Sequence, residues 1–415
     1  MHLHSIIIFW LVQLSVFSGS DMPRNKRSVF VLKSNITKSS TNSTISWPKV
    51  ENPSNKPRFL STLNTNLNFD ASDYQCSSNT SHSCSHKTAS HKTKILNEFR
   101  RILNQNLLSS SVQSDDFSAN PYNVNHEIDL KNYLNQTKSQ LICALKEVAI
   151  DTIIPKDIPS DKLNIHKWVP KNNIFETKTF NTCAIVASAG SLIGSGLGNF
   201  IDDHEVVLRF NHAPVTGYER DVGRKTTFRI LNSQVMTQER YSFVNSSLYR
   251  GQMVLLGWDP SPMGSTLAHW FAKPEHDLFS AYENYMRYSD NERANEHPTS
   301  YYNFFLLNPS SLWNLWKFLQ RRVQKPLPKH PPTSGFLGIA LLIQRCHLLH
   351  VFEYIPSTRL SARCHYFDER TNPACTFGSW HPLAAEKFIA WSMNVADDYT
   401  VFQKGYIELN SDVKC

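Results

Sequence analysis

Between residues 183 and 234 the chain alternates short apolar runs with loops of small or polar residues, and few architectures accommodate that rhythm. Cys183-Ala184-Ile185-Val186-Ala187 reads as a buried strand, and Ser188-Ala189-Gly190-Ser191 breaks it. Extended structure is expected again through Val206-Val207-Leu208-Arg209-Phe210 and Thr226-Thr227-Phe228-Arg229-Ile230. Asn211 and Asn232 each stand just after a strand. A small-residue loop leaving a strand presents backbone N–H groups that can cradle a phosphate. Ligands of open α/β sheets sit at the carboxyl ends of the strands. The segment therefore reads as a site for a nucleotide or nucleotide-sugar.

The rest of the chain extends the pattern. Strands are expected at 183–188, 205–210, 226–231, 252–258 and 350–355. Helices are expected at 312–322, with Trp313, Trp316 and Leu319 on one face and packed in the core, at 335–344 after a Pro-Pro-Thr-Ser turn, and at 381–393. Leu134, Leu141, Ile142, Leu145 and Val148 give 132–150 a helical spacing, whereas 285–300 reads as an enlarged polar loop. Strands alternating with helices predict an α/β sheet covered on both faces.

Residues 20–125 are dominated by Ser, Asn, Thr, Lys and Pro, with little apolar surface to bury, and read as a flexible stem carrying a weakly amphipathic patch at 95–108. Residues 6–17 are apolar but short of the roughly 20 needed to span a bilayer. They fit the core of a signal peptide, with Ser18-Gly19-Ser20 as a cleavage region. Arg24, Lys26 and Arg27 follow the apolar stretch and no Lys or Arg precedes it, the reverse of the order expected for a lumenal carboxyl-terminal domain on an anchor. A short anchor and a cleaved leader both put the rest in the secretory lumen. Asn-x-Ser/Thr sequons at Asn35, Asn42, Asn79, Asn135 and Asn245 fit that compartment. So does an even count of 8 cysteines, which allow 105 pairings. Zinc-type cysteine spacing is absent. The formal charge is +8, but no Lys/Arg run is interleaved with aromatics, so nucleic acid is discounted.

Four stretches, in order, resemble the sialyl motifs of the eukaryotic sialyltransferases. Residues 183–234 resemble the large motif and 331–357 the small one. Cys364-His365-Tyr366-Phe367 resembles the third motif, and His381-Pro382-Leu383-Ala384-Ala385-Glu386-Lys387 the very small motif. Phe352-Glu353-Tyr354-Ile355-Pro356-Ser357, Ala374-Cys375-Thr376 and His381-Pro382-Leu383 are most similar to the β-galactoside α-2,6 branch. The resemblance implies a variant GT-A-like catalytic domain at 126–415, with a central, mostly parallel sheet flanked by helices. A disordered stem at 20–125 and a signal-anchor or signal peptide at 1–19 would precede it.

The implied activity is transfer of sialic acid from CMP-sialic acid to the 6-hydroxyl of terminal galactose, or GalNAc, on glycoprotein N-glycans. The reaction would invert the anomeric centre and need neither cofactor nor metal. Implied partners are the donor, galactose-terminated glycans and the Golgi membrane through the N-terminal segment, as a type II protein or, after cleavage, a secreted one. Alternatives are a sialyltransferase of other linkage or acceptor and a catalytically silent glycan-binding relative. A hydrolase would need paired acidic residues flanking the bond, and only Asp202-Asp203 stands out. That pair also resembles the metal-binding aspartates of other glycosyltransferases. A donor with one phosphate has less charge to neutralise, and the resemblance implies a structural role.

His381 is the candidate general base, since an imidazole of ordinary pKa near ~6.5 suits proton abstraction. It is expected at the start of a helix, with Pro382 in the first turn. Glu386 lies about 140° further round that helix and is read as a structural contact. Lys387 is read either as a phosphate or carboxylate contact or as a solvated lysine. By resemblance, Ser188, Asn211, Asn232, Thr333, Ser334 and Gly335 face the donor, as do Cys364, His365, Trp380 and Lys387. Gln234 and Glu275 face the acceptor; the α-2,6 relatives usually carry aspartate at the latter position. The resemblance also implies the bridges Cys183–Cys346, Cys364–Cys375 and Cys143–Cys415, leaving Cys76 and Cys84 to pair with each other.

Overall fold

The apolar runs assemble into one seven-stranded sheet in a computed structural model. It describes residues 69–76, 82–104, 120–125, 136–174, 176, 178–296, 304–372, 374–378 and 380–415. The expected leader at 1–19, most of the expected stem, and the sequons at Asn35, Asn42, Asn79 and Asn135 lie outside these residues. The strands are β1 (Phe180–Val186), β2 (Val206–Phe210), β3 (Phe228–Asn232), β4 (Val254–Trp258), β5 (Phe304–Leu306), β6 (Cys346–Phe352) and β7 (Tyr406–Asn410). Their spatial order is β5-β4-β3-β2-β1-β6-β7. All neighbours are parallel except β6 and β7. Every residue of β2 is buried, as an interior strand covered on both faces requires. From β1 the chain steps outward to β5 and then returns to β6 on the other side of β1. The order thus reverses between β1 and β6, where loops leaving the strand ends diverge and open a crevice.

The helix Ser334–Ile343 is buried from Phe336 to Ile343 and packs on β1, β2, β3 and β6, which explains its nearly unbroken apolar sequence. Trp313 and Trp316 of the helix Ser310–Gln320 are buried, so they are core residues as expected. The expected strands and helices lie within a few residues of those observed. The three-residue β5 and the edge strand β7 were not anticipated.

Two expectations are corrected. The stretch read as a flexible stem contains a 23-residue helix, His82–Asn104, packed against the helix Leu383–Met393. Cys84, Thr88, His91, Ile95 and Phe99 recur at helical spacing and are all buried. The stripe was masked because two of its members are polar and the surrounding composition is polar. Tyr122 and Val124 also join the main core, so the folded domain begins upstream of 126. Likewise, the polar loop expected at 285–300 is largely helix, Leu278–Glu296. Leu278, Phe279, Tyr282 and Met286 form its buried face, and a Glu283–Arg287 pair lies on its outer face.

All four cysteine pairs occur as anticipated: Cys76–Cys84, Cys143–Cys415, Cys183–Cys346 and Cys364–Cys375. The Cys183–Cys346 bridge joins the two strands at the switch point, and Cys364–Cys375 closes the loop that carries His365. Among the described residues no helix is long and apolar enough to cross a membrane.

Candidate functional site

A cleft of about 400 Å³ opens at the β1/β6 switch point. Ser188 comes from the loop after β1, and Asn211 and Asn232 from the ends of β2 and β3. Thr333, Ser334 and Gly335 form the start of a helix on its wall. Cys364, His365, Trp380, His381 and Lys387 complete it. All ten residues expected on the donor side and the candidate base therefore line one cavity.

Backbone pairing brings the motifs together. Ala189 forms an antiparallel bridge with His365, and the Tyr366 N–H donates to the Ser188 carbonyl at 3.1 Å. Asn211 adopts a left-handed conformation, φ 48°. Its side-chain oxygen accepts from the Asn232 N–H at 3.0 Å, and the Asn232 side-chain oxygen caps Val235 N–H at 2.9 Å. Beneath this turn lie Arg209 and Arg229, register partners on β2 and β3, each 1% exposed. Arg229 donates to the carbonyls of Asn211 (2.8 Å) and Ala213 (3.0 Å), which fixes the turn. Burial pulls both guanidinium groups down to about 10, which leaves them charged at neutral pH.

The helix Ser334–Ile343 begins with Thr333 as its cap, the hydroxyl accepting from Phe336 N–H at 3.1 Å. The Glu386 carboxylate accepts from the Thr333 N–H (2.8 Å), the Thr333 hydroxyl and the Tyr354 hydroxyl (2.9 Å). Glu386 is thus a structural contact, and what it holds is the cap. Burial pushes its pKa up to about 7 against these three donors. Trp258 Nε1 holds the Ser334 hydroxyl at 2.9 Å. A Cβ at Gly335 would lie 2.9 Å from the Tyr354 ring, so only glycine fits here without displacing it. The first N–H groups of the helix have no intrahelical partner and carry the positive end of its dipole.

His381 precedes Pro382, which is the cap of the helix Leu383–Met393 rather than a first-turn residue. Its Nδ1 lies 2.6 Å from the Pro331 carbonyl. A carbonyl only accepts, so Nδ1 carries the proton and Nε2 keeps its lone pair. Burial draws the ring's pKa down to about 4, leaving it neutral at physiological pH. Lys387 is buried, donates to the Thr376 carbonyl at 2.6 Å, and is drawn down to about 8 by burial. It is not a solvated lysine. His365 Nδ1 lies 2.8 Å from the Asp368 carboxylate and its ring stacks on Phe367.

The two residues expected on the acceptor side do not line this cleft. Gln234 is exposed on the short helix Ser233–Thr237. Glu275 accepts from the Tyr122 hydroxyl at 2.7 Å. Tyr122 in turn meets Trp380 edge-on, and Trp380 meets His381. Aromatic rings thus connect Glu275 to the candidate base. Asp259, fully buried, accepts from the N–H groups of Glu275 (2.9 Å) and His276 (3.3 Å) and from Trp270 Nε1 (3.1 Å), and so fixes this loop.

Sequence reasoning missed Tyr122, Asp259 and Glu353 as site residues. Glu353, at φ 50°, binds Arg359 and the hydroxyls of Ser191 (2.8 Å) and Ser357 (2.8 Å), locking the first loop to the turn after β6. A lone carboxylate in the apolar run Val351-Phe352-Glu353-Tyr354-Ile355 was its available signal. The Asp202 carboxylate accepts from the N–H groups of Arg224 and Lys225, a structural engagement. Asn245 is exposed.

Residues 124–397 match the model of glycosyltransferase family 29 (sialyltransferase). Among curated proteins, the chain is 40% identical over 284 residues to beta-galactoside alpha-2,6-sialyltransferase 2 of Gallus gallus, covering 67% of this chain and 52% of the relative. It is 37% identical over 276 residues to the protein of that name from Homo sapiens, covering 66% and 50%. The chain spans about half the length of the curated relatives it matches. Among solved structures it is similar to a mammalian sialyltransferase, at 17% identity and TM-score 0.34 over 72% of this chain and 95% of that one.

Proposed function

Starting from the fact that the chain belongs to glycosyltransferase family 29, the sialyltransferases, we propose that it transfers sialic acid from CMP-sialic acid to glycoprotein glycans. The target is the 6-hydroxyl of a terminal galactose or N-acetylgalactosamine. The names of its relatives support the linkage and the galactoside acceptor. The observation that carries the reading is the cleft's pairing of a proton-free imidazole nitrogen, His381 Nε2, with the helix N-terminus at Ser334 and Gly335.

The chemistry follows from that pairing. The acceptor oxygen attacks the anomeric carbon from the face opposite the phosphate, the bond to the phosphate oxygen breaks, and the configuration inverts. The hydroxyl proton passes to His381 Nε2, while the Nδ1–H···O=C contact to Pro331 steadies the imidazolium. The helix N–H groups and Lys387 meet the charge that grows on the departing CMP. An anionic donor beside the ring favours its protonated form, so binding raises the His381 pKa from about 4 toward the range where a base works well. The donor has a single phosphate, and transfer is expected to survive a chelator. The reaction is placed in the secretory lumen, with the N-terminal segment as the link to the Golgi membrane; four disulfides support an oxidising compartment.

The test is to express the full chain through a secretory pathway and supply CMP-sialic acid with Galβ1-4GlcNAc and GalNAcβ1-4GlcNAc acceptors. Product that only an α-2,6-cleaving sialidase removes is expected. Folded protein that binds CMP but modifies neither acceptor would overturn the acceptor assignment, and failure to bind CMP would overturn the transferase reading.

A further inference from the structure

Resting on the donor reading above, we propose that Arg363 is a donor-binding residue that supplies the second cationic contact to CMP-sialic acid. The donor carries two separate anions, a phosphodiester and a carboxylate. Lys387 can meet only one of them closely.

The acidic and basic side chains lining the cleft are Glu353, Arg363, His365, His381 and Lys387. Glu353 is engaged by Arg359 and two serines. His365 is held by Asp368, and His381 by the Pro331 carbonyl. Lys387 donates one hydrogen bond, to Thr376. Among the described residues of the cleft, Arg363 alone is a cation whose charged head makes no hydrogen bond or ion pair. With Glu353 balanced by Arg359, the cleft presents Lys387 and Arg363, two positive charges for the donor's two negative ones.

The root of Arg363 is fixed even though its head is free. Its backbone bridges Thr371. The next residue, Cys364, donates its N–H to the Arg370 carbonyl at 2.8 Å and is bridged to Cys375. The stem lies against Gly190 in the loop after β1. A Cβ added there would come within 2.5 Å of the Arg363 carbonyl oxygen, 2.8 Å of its Cβ and 3.0 Å of its Cγ. This close approach sets the arginine at the rim of the loop whose neighbours, Ser188 and Asn211, face the donor. A guanidinium fork matches either anion through paired N–H donors.

The experiment compares wild type, R363Q and R363K in the full chain. Steady-state rates are measured with CMP-sialic acid, and equilibrium binding with CMP and with cytidine. R363Q is expected to raise the donor KM about tenfold, the usual scale for one charge-assisted hydrogen bond. The acceptor KM should hold; kcat should stay within about twofold if the contact is to the carboxylate, whose charge does not change during transfer, and should also fall if it is to the phosphate, where charge grows. R363K should recover part of the loss, because it restores charge without the fork. If the contact is to phosphate, CMP binding weakens in parallel while cytidine binding does not. If it is to the carboxylate, the donor KM rises while CMP binding is unchanged. An R363Q enzyme with unchanged donor KM and CMP affinity would leave Arg363 a solvated surface residue and overturn the proposal. Wild-type protein that neither transfers sialic acid nor binds CMP would instead overturn the donor reading on which it rests.

Discussion

The donor cleft and the acceptor side differ in how they are built. The residues proposed to face the donor sit on strand ends and at a helix N-terminus beside the central sheet, clamped by hydrogen bonds to buried groups and by two disulfides. Gln234 and Glu275 sit on a short helix and a loop, and the loop is held by Asp259 and by Tyr122 from a remote segment. Chemistry common to all donors can be built into the sheet. On the proposed reading, acceptor choice is left to pieces that can change without disturbing it. Substitutions on the two sides should therefore separate donor from acceptor kinetics.

The largest effect is expected at His381. H381A removes the proton acceptor, and kcat should fall about 10²- to 10⁴-fold. CMP affinity should stay nearly constant, since the donor's anions are met elsewhere. Parallel loss of CMP binding would show that the ring shapes the donor cleft instead. Wild-type pH dependence sharpens the same point. On the proposed mechanism activity needs neutral His381, so it should fall as pH drops through the ring's pKa. That limb should lie near about 4 in kcat/KM, which reports the free enzyme. In kcat it should lie higher, because bound donor favours the charged ring.

E386Q comes next. The carboxylate serves three donors at the Thr333 cap, and an amide presents one acceptor and an NH₂ group to them. A lost buried hydrogen bond on the scale of about 1–3 kcal/mol would loosen the helix N-terminus proposed to face the phosphate. The donor KM should rise about tenfold with the acceptor KM unchanged. An equal rise in both would break the separation between the two sides.

The same division governs what could be read from the sequence. Interior strands announce themselves through local runs such as Val206-Val207-Leu208, and the small-residue turns after them mark the crevice. Pro382 was placed one position too far into its helix because capping depends on backbone torsions. β5 is too short to carry a period, and the stripe of the helix His82–Asn104 includes Thr88 and His91, which look solvent-facing in isolation. Tyr122 reaches Glu275 across 153 positions, and no local pattern signals such a contact. Arg209 and Arg229 stand inside such strand runs, and nothing local to them shows what pairs a buried charge there. Their burial follows from carbonyl partners supplied by turns elsewhere in the large motif.

The smallest effect should come from Y122F, which removes one hydroxyl and keeps the ring against Trp380. The Tyr122 hydroxyl donates to Glu275, whose pKa burial has raised. Without that donor the carboxylate is less firmly oriented and its pKa rises further, because a hydrogen bond that favoured the charged form is gone. If Glu275 accepts a hydrogen bond from an acceptor sugar hydroxyl, acceptor KM should rise about threefold, within the ~0.5–1.5 kcal/mol of a typical hydrogen bond, and the rise should grow at lower pH. Donor KM and CMP affinity should not move, since Tyr122 does not line the donor cleft. A change in donor KM would mean that the aromatic chain through Trp380 couples the two sides, and the contrast between them would then be one of construction but not of function.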